Sequence, residues 1–115
     1  MPLDRDQATL LDIHRAARLV LEFKGALTRD AFLDDLKTQS AILHQLLVIG
    51  EAVKRLSAEF RTGHPAVPWA LMAGMRDNLI HGYDDVDLYE VWKTATDDIP
   101  ALLTALESLL PADKD

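Results

Sequence analysis

The stretch Ile42-Leu43-His44-Gln45-Leu46-Leu47-Val48-Ile49-Gly50-Glu51-Ala52-Val53-Lys54-Arg55-Leu56-Ser57-Ala58-Glu59-Phe60 decides the fold. Ile42, Leu46, Ile49, Val53, Leu56 and Phe60 step by 4, 3, 4, 3 and 4 positions, and Leu43 and Leu47 widen the stripe. That spacing returns to one side of a helix turning about 100° per residue. An apolar face this long needs other helices laid against it, so the stretch predicts the central helix of an all-α domain.

The flanks supply the partners. Leu10, Ile13, Ala17, Val20 and Leu21 form a stripe on a first helix, opened near Asp4 and closed at Lys24-Gly25, where glycine tolerates a left-handed cap. Thr28 can cap a shorter piece carrying Phe32, Leu33 and Leu36. Gly63-His64-Pro65-Ala66-Val67-Pro68 breaks the pattern, and Pro68 suits the first turn of a helix running toward Gly82. Asp87 with Glu90 resembles a capping box ahead of a long final stripe from Leu88 to Leu110, which Pro100 is expected to kink. Nothing alternates with period two over a strand's length. The chain therefore reads as a bundle of four or five helices in one domain over residues 1–110, with a frayed tail at 111–115.

Composition bounds the function. At 115 residues and 49% hydrophobic content the chain can bury a core without staples. It lacks an apolar run of the ~18 residues that a membrane span needs, and its acidic start, Met1-Pro2-Leu3-Asp4-Arg5-Asp6, is unlike a secretory signal. No cysteine is present, which removes thiolate chemistry and fits a cytoplasmic setting. The net charge of −7 is the wrong sign for wrapping nucleic acid, and a symmetric dimer would double it to −14. RNA would have to dock where cations concentrate, with Lys54, Arg55, Arg61 and Arg76 as candidates, and the acidic remainder suits a basic protein partner.

The candidate chemistry lies in Met75-Arg76-Asp77-Asn78-Leu79-Ile80-His81-Gly82-Tyr83. Arginine offers a fixed fork for phosphoryl oxygens, and histidine exchanges protons readily near neutral pH. Counted along one helix, Trp69, Met72, Ala73, Arg76, Ile80 and Tyr83 share a side, so Arg76 falls inside an apolar stripe and must be paired or face a cleft. Glu51 is the acidic residue that could pair with it, or that could orient a motif residue. His81 reads either as a helix C-terminal cap or as a general base, and Asp77 four residues earlier is placed to hold one ring nitrogen. On an ideal helix Arg76 and His81 diverge by about 140°. One helix does not easily close such a site, which predicts a second copy facing the first across a symmetric dimer that uses Trp69, Met72 and Ile80.

Other residues carry less. Gly50 and Gly74 inside helices predict close backbone approach. Trp69 and Trp92 read as core or interface aromatics, with base stacking as the lesser alternative. His14, His44 and His64 lack metal-ligand spacing, and neither a His-Glu-x-x-His motif nor a glycine-rich phosphate loop is present, so no metal and no cofactor are expected.

The Arg76, His81 and Tyr83 arrangement, Arg-x-x-x-x-His-x-Tyr, resembles the signature of HEPN-superfamily ribonucleases, and more narrowly of the HepT-like toxins. The likeness extends over roughly Gln39 to Pro100. It includes Ile49-Gly50-Glu51-Ala52-Val53-Lys54-Arg55-Leu56-Ser57, His64-Pro65, Pro68-Trp69, Ala73-Gly74-Met75 and Val86-Asp87-Leu88-Tyr89-Glu90-Val91-Trp92. It implies a metal-independent endoribonuclease acting on RNA such as tRNA or mRNA, with Arg76 and His81 catalytic and Asp77 and Glu51 supporting. It further implies a type VII-like toxin–antitoxin system in which a nucleotidyltransferase-fold antitoxin adenylylates Tyr83. Asp77 stands where the family often has asparagine, although other polar residues are used there. Two other readings are open: a non-catalytic, phosphate-binding accessory subunit of a nucleotidyltransferase, which needs mainly Arg76, and a helical dimerisation module, which needs neither motif residue.

Overall fold

The computed structural model describes residues 4–82 and 85–110, and the expected tail at 111–115 lies outside them. Helix α1 (Arg5–Lys24) begins where the Asp4 carboxylate accepts from the Gln7 backbone N–H, with Gln7 reaching back to the Asp4 N–H in a complete capping box. It ends at Gly25, whose φ of 50° and ψ of −133° suit a residue without a Cβ. Thr28 caps α2 (Arg29–Leu33), as its position predicts.

A break at Asp34-Asp35 separates α2 from α3 (Leu36–Arg55). Asp35 accepts from both the Thr38 N–H at 3.0 Å and the Thr38 hydroxyl at 2.8 Å, and these bonds hold its carboxyl below the ordinary carboxylate range. Gln39 donates to the Phe32 and Leu33 carbonyls and so satisfies the end of α2.

The central helix is shorter than its stripe. α3 stops at Arg55 with Leu56 extended, and Ser57 caps a separate α4 (Ala58–Gly63), so Phe60 belongs to the next element. Asp6 of α1 accepts from the Ser57 N–H at 2.9 Å and its hydroxyl at 2.7 Å, while the same hydroxyl accepts from the Phe60 N–H. These bonds offer the backbone an alternative to continuing the helix. The Ser57 contacts also hold the Asp6 carboxyl below its ordinary value.

Two short helices follow, α5 (Trp69–Ala73) and α6 (Met75–Leu79). Asp87 caps α7 (Leu88–Lys93), which passes through a π turn (Thr94–Asp98) into α8 (Ile99–Glu107). Pro100 stands in the first turn of α8, where its missing N–H costs little. The expected kink thus takes the form of a π turn just ahead of the proline.

α1 lies along α3, α8 packs on α1, and α5 and α6 pack on α3. Leu10, Ile13, Ala17, Val20, Ile42, Leu46, Ile49 and Val53 are buried in one core with Phe32, Val91, Ile99 and Leu106. Each such aliphatic or aromatic side chain contributes about 1.5–3 kcal/mol of burial. The fold is all-α as predicted, with one isolated antiparallel bridge, Ile80 to Val86, among the described residues. No helix among them is long and apolar enough to cross a membrane.

Candidate active site

The site begins at a tight contact between helices. A Cβ added at Gly50 in α3 would lie 3.1 Å from the Met72 carbonyl oxygen, so the absent side chain lets α5 approach α3. The close approach expected at Gly74 is not found, since a Cβ there would meet only carbonyls of its own α5. Gly74 instead ends α5 and starts α6, with its carbonyl accepting from the Asp77 and Asn78 N–H groups. This break corrects the placement of Arg76. An unbroken helix would put Arg76 beside Trp69 and Met72, but after Gly74 the inward positions fall to Met75 and Leu79, and Arg76, Asp77 and Asn78 are exposed.

Trp69 and Met72 are buried within the chain itself, 6% and 3% exposed, so they cannot form the predicted dimer surface. The Trp69 indole N–H donates to the His64 carbonyl at 2.9 Å. Trp92 is half-buried against Phe32 under the Lys24 ammonium. Neither tryptophan offers a free stacking face.

His81 lies beyond the helix that was expected to carry it. α6 ends at Leu79, Ile80 is extended (φ −120°, ψ 114°), and the chain folds back so that Ile80 bridges Val86. The His81 N–H donates to the Asp85 carbonyl at 2.7 Å, and the Asp87 N–H donates to the Leu79 carbonyl at 2.8 Å. The turn puts His81 Nε2 3.4 Å from Asp87 Oδ2. Asp77 does not make the predicted contact with His81, because the four-residue helical relation lapses once Ile80 leaves the helix. Asp87 takes that place: its Oδ1 caps α7 through the Glu90 N–H at 3.1 Å, which fixes the carboxylate while Oδ2 faces the imidazole. In sequence this residue reads only as a cap, and its second role depends on the fold-back.

Glu51 lies 3.5 Å from Lys54 and is not paired with Arg76. The candidate cations do not share a cleft. Arg55 lines a hollow with Asp12 and Arg15 between α1 and α3, Arg61 lines another with Pro65 and Trp69, and Arg76 projects from α6. Tyr83 lies outside the described residues. His14 meets Glu107 at 3.4 Å and His64 packs on Phe60; among the described residues no three His, Asp or Glu side chains gather as metal ligands would.

Sequence reading missed one aromatic. Tyr89 is 63% exposed and lines a hollow of about 410 Å3 with His81, Asp85, Val86, Asp87, Leu88 and Leu33. The available signal was its position off the inward stripe of Leu88, Val91 and Ala95.

A histidine held beside a capped carboxylate at an open hollow can move a proton, and a solvent-facing arginine can pair with a phosphate. Comparison with known proteins gives the family. The family model described as Ribonuclease HepT-like matches residues 13–109. A protein of Thermococcus cleftensis named probable ribonuclease HepT is 45% identical over 100 residues, covering 87% of this chain and 91% of the relative. A Methanocaldococcus jannaschii protein named as a candidate RNase is 37% identical over 110 residues, 96% of this chain and 91% of its own length. Another so named, from Caldanaerobacter subterraneus, is 41% identical over 96 residues, covering 84% and 85%. No solved structure matches the chain.

Proposed function

This chain belongs to the HepT-like ribonuclease family, and we propose that it is a metal-independent endoribonuclease using Arg76 and His81. The observation that carries the reading is the His81–Asp87 pair, in which a carboxylate fixed by a helix cap stands 3.4 Å from an exposed imidazole beside an open hollow. In RNA the 2′-hydroxyl is an internal nucleophile, so the protein supplies a base, an acid and a cation. The 2′-oxygen attacks phosphorus and its proton passes to His81. The bond from phosphorus to the 5′-oxygen breaks, and the departing oxygen takes a proton from water or from the second protomer's His81. Arg76 neutralises charge on the phosphorane oxygens. The products are a 2′,3′-cyclic phosphate and a 5′-hydroxyl.

In this reading the enzyme is a cytoplasmic toxin that acts as a homodimer with its two motifs facing each other. Since Trp69 and Met72 are taken up by the core, the half-buried Ile80 of the motif and the exposed Leu71 of α5 are the apolar residues that remain nearby in sequence for such an interface. The partner is a nucleotidyltransferase-fold antitoxin that adenylylates Tyr83, placing bulk and negative charge where the substrate phosphate must bind.

Incubation of the purified protein with total RNA in EDTA, beside Arg76→Ala and His81→Ala variants, tests the reaction. Cleavage that survives EDTA, leaves cyclic ends and falls about 10²-fold or more in each variant supports it. Cleavage that requires magnesium or leaves 3′-hydroxyls overturns it, as does an active His81→Ala protein. Sedimentation at micromolar concentration reads the dimer directly.

A further inference from the structure

Tyr89 is an exposed aromatic, common enough by itself on a protein surface. Two surroundings set this one apart. The Arg29 guanidinium carbon lies 5.8 Å from its ring centroid, which brings a planar cation from α2 to a ring on α7. The ring also lines the same hollow as His81, so a group stacked on Tyr89 lies beside whatever His81 acts upon.

The lining identifies the class of that group. Leu33, Val86 and Leu88 give the hollow an apolar wall, and Asp85 and Asp87 line it as well. Their negative charge disfavours a phosphate inside the hollow, so in this reading the scissile phosphate meets His81 at the hollow's mouth. A nucleobase meets no such penalty: it is flat, uncharged and carries N–H donors on its edge. Tyrosine faces and guanidinium planes are the surfaces on which unpaired RNA bases stack. Trp69 is packed into the protein and Trp92 is half-buried with Phe32 and Lys24 against its ring, whereas Tyr89 is 63% exposed.

We propose that Tyr89, flanked by Arg29, stacks the base of the nucleotide adjoining the scissile phosphate and so selects single-stranded RNA and sets the position of the cut. This rests on the ribonuclease reading, because it takes His81 as the group at the phosphate. The stack engages the base while Arg76 engages the phosphate, so the strand runs between α6 and the hollow. The tyrosine ring, and not its hydroxyl, carries the interaction.

The test uses the full chain and a single-stranded oligoribonucleotide that the wild type cuts, with Tyr89→Ala and Tyr89→Phe as variants. Tyr89→Ala is expected to raise KM about tenfold, the loss of one base–aromatic stack, with little change in kcat and a weakened preference at the nucleotide beside the cut. Tyr89→Phe should match the wild type. An abasic substitution beside the cut should impair the wild type as the alanine does and add nothing in Tyr89→Ala. A second arm measures binding of the same oligonucleotide with a 2′-deoxy residue at the cut, so that stacking is read without cleavage. If the wild type binds but does not cut the unmodified RNA, the catalytic reading fails while the binding arm still decides the stack. Equal KM, equal binding and an unchanged cleavage pattern in Tyr89→Ala overturn the inference, as does a Tyr89→Phe protein as defective as the alanine.

Discussion

Replacing Gly50 by alanine sets two effects against each other, and the structure gives the sizes needed to choose. Alanine in the middle of α3 gains about 0.5–1 kcal/mol over glycine from backbone entropy. Against that, the new methyl lies 3.1 Å from the Met72 carbonyl oxygen, closer than an ordinary carbon–oxygen contact, so α5 must yield by a few tenths of an ångström. The oxygen belongs to backbone that also accepts from the Gly74 N–H, and it cannot swing aside as a side-chain end would. Overpacking of this kind costs about 1–3 kcal/mol, which exceeds the helix gain over most of its range and leaves a net loss of up to about 2.5 kcal/mol. At about 4 °C per kcal/mol, melting should fall by a few degrees. Activity should fall a few-fold as well, because moving α5 shifts Gly74 and with it Arg76, and misplacement by a full ångström costs about 10²-fold. Gly63→Ala is the control: it also lies in a helix, and a Cβ there meets nothing within 4 Å, so it should melt at or above the wild type. Thermal melts with parallel RNA cleavage decide the matter. A Gly50→Ala protein more stable than the wild type would refute the contact as the reason for glycine.

Three further outcomes are expected. Asp87→Asn keeps an oxygen for the Glu90 N–H and should hold stability while slowing cleavage up to about fivefold, since a half-exposed pair at 3.4 Å is worth no more than about 1 kcal/mol; Asp87→Ala should add a stability loss of about 1 kcal/mol from the lost cap, read by urea denaturation. Tyr83→Phe should cut RNA much as the wild type does yet gain no AMP-sized mass when co-expressed with a nucleotidyltransferase antitoxin, and a modified wild type that still cuts at full rate would sink the regulatory reading. The depressed Asp6 carboxyl contributes stability that is present above the ordinary carboxylate range and is lost as pH falls through its folded value, so melts between neutral and acid pH should show a smaller acid loss in Asp6→Asn than in the wild type.

What the sequence disclosed and withheld follows the range of the interactions. Asp4, Thr28 and Asp87 cap helices within three residues of themselves, and the stripes on α1 and α3 find their burial by periodicity, so these features were legible. The end of α3 was not, because the bonds that end it join Ser57 to Asp6, 51 positions away. The same limit governs the site. Arg76, His81 and the neighbourhood of Gly50 were singled out from residue types and spacing, but the break at Gly74 and the fold-back that pairs Ile80 with Val86 reassign their neighbours. Helical counting therefore put Arg76 in a stripe it does not occupy and gave His81 to Asp77 instead of Asp87. Tyr89 went unnoticed because stripe analysis attends to what points inward.

The dispersal of cations leads to a last expectation. An acidic chain can bind RNA through many phosphates only by gathering its arginines and lysines, and here Lys54 meets Glu51, Arg55 sits with Asp12 and Arg15, and Arg61 lies near Trp69. In the proposed site, Arg76 and Arg29 are then the two cations offered to the strand. For single-stranded nucleic acid each neutralised phosphate adds about −0.7 to the slope of log K against log salt, so one or two contacts give a slope between about −0.7 and −1.4. A fourfold rise in salt should weaken binding by less than about tenfold, whereas six or more contacts would cost far more. Affinity must then come largely from the base, which is why loss of the Tyr89 ring should matter more than salt. Titration of the 2′-deoxy oligonucleotide over a salt series measures the slope for the wild type, Arg76→Ala and Tyr89→Ala. Arg76→Ala should flatten it by about one phosphate, and Tyr89→Ala should lower affinity at every salt concentration without changing the slope. A wild-type slope as steep as that of a protein holding six phosphates would mean that cations outside this site carry the RNA, and both the local site and the stacked base would lose their place in recognition.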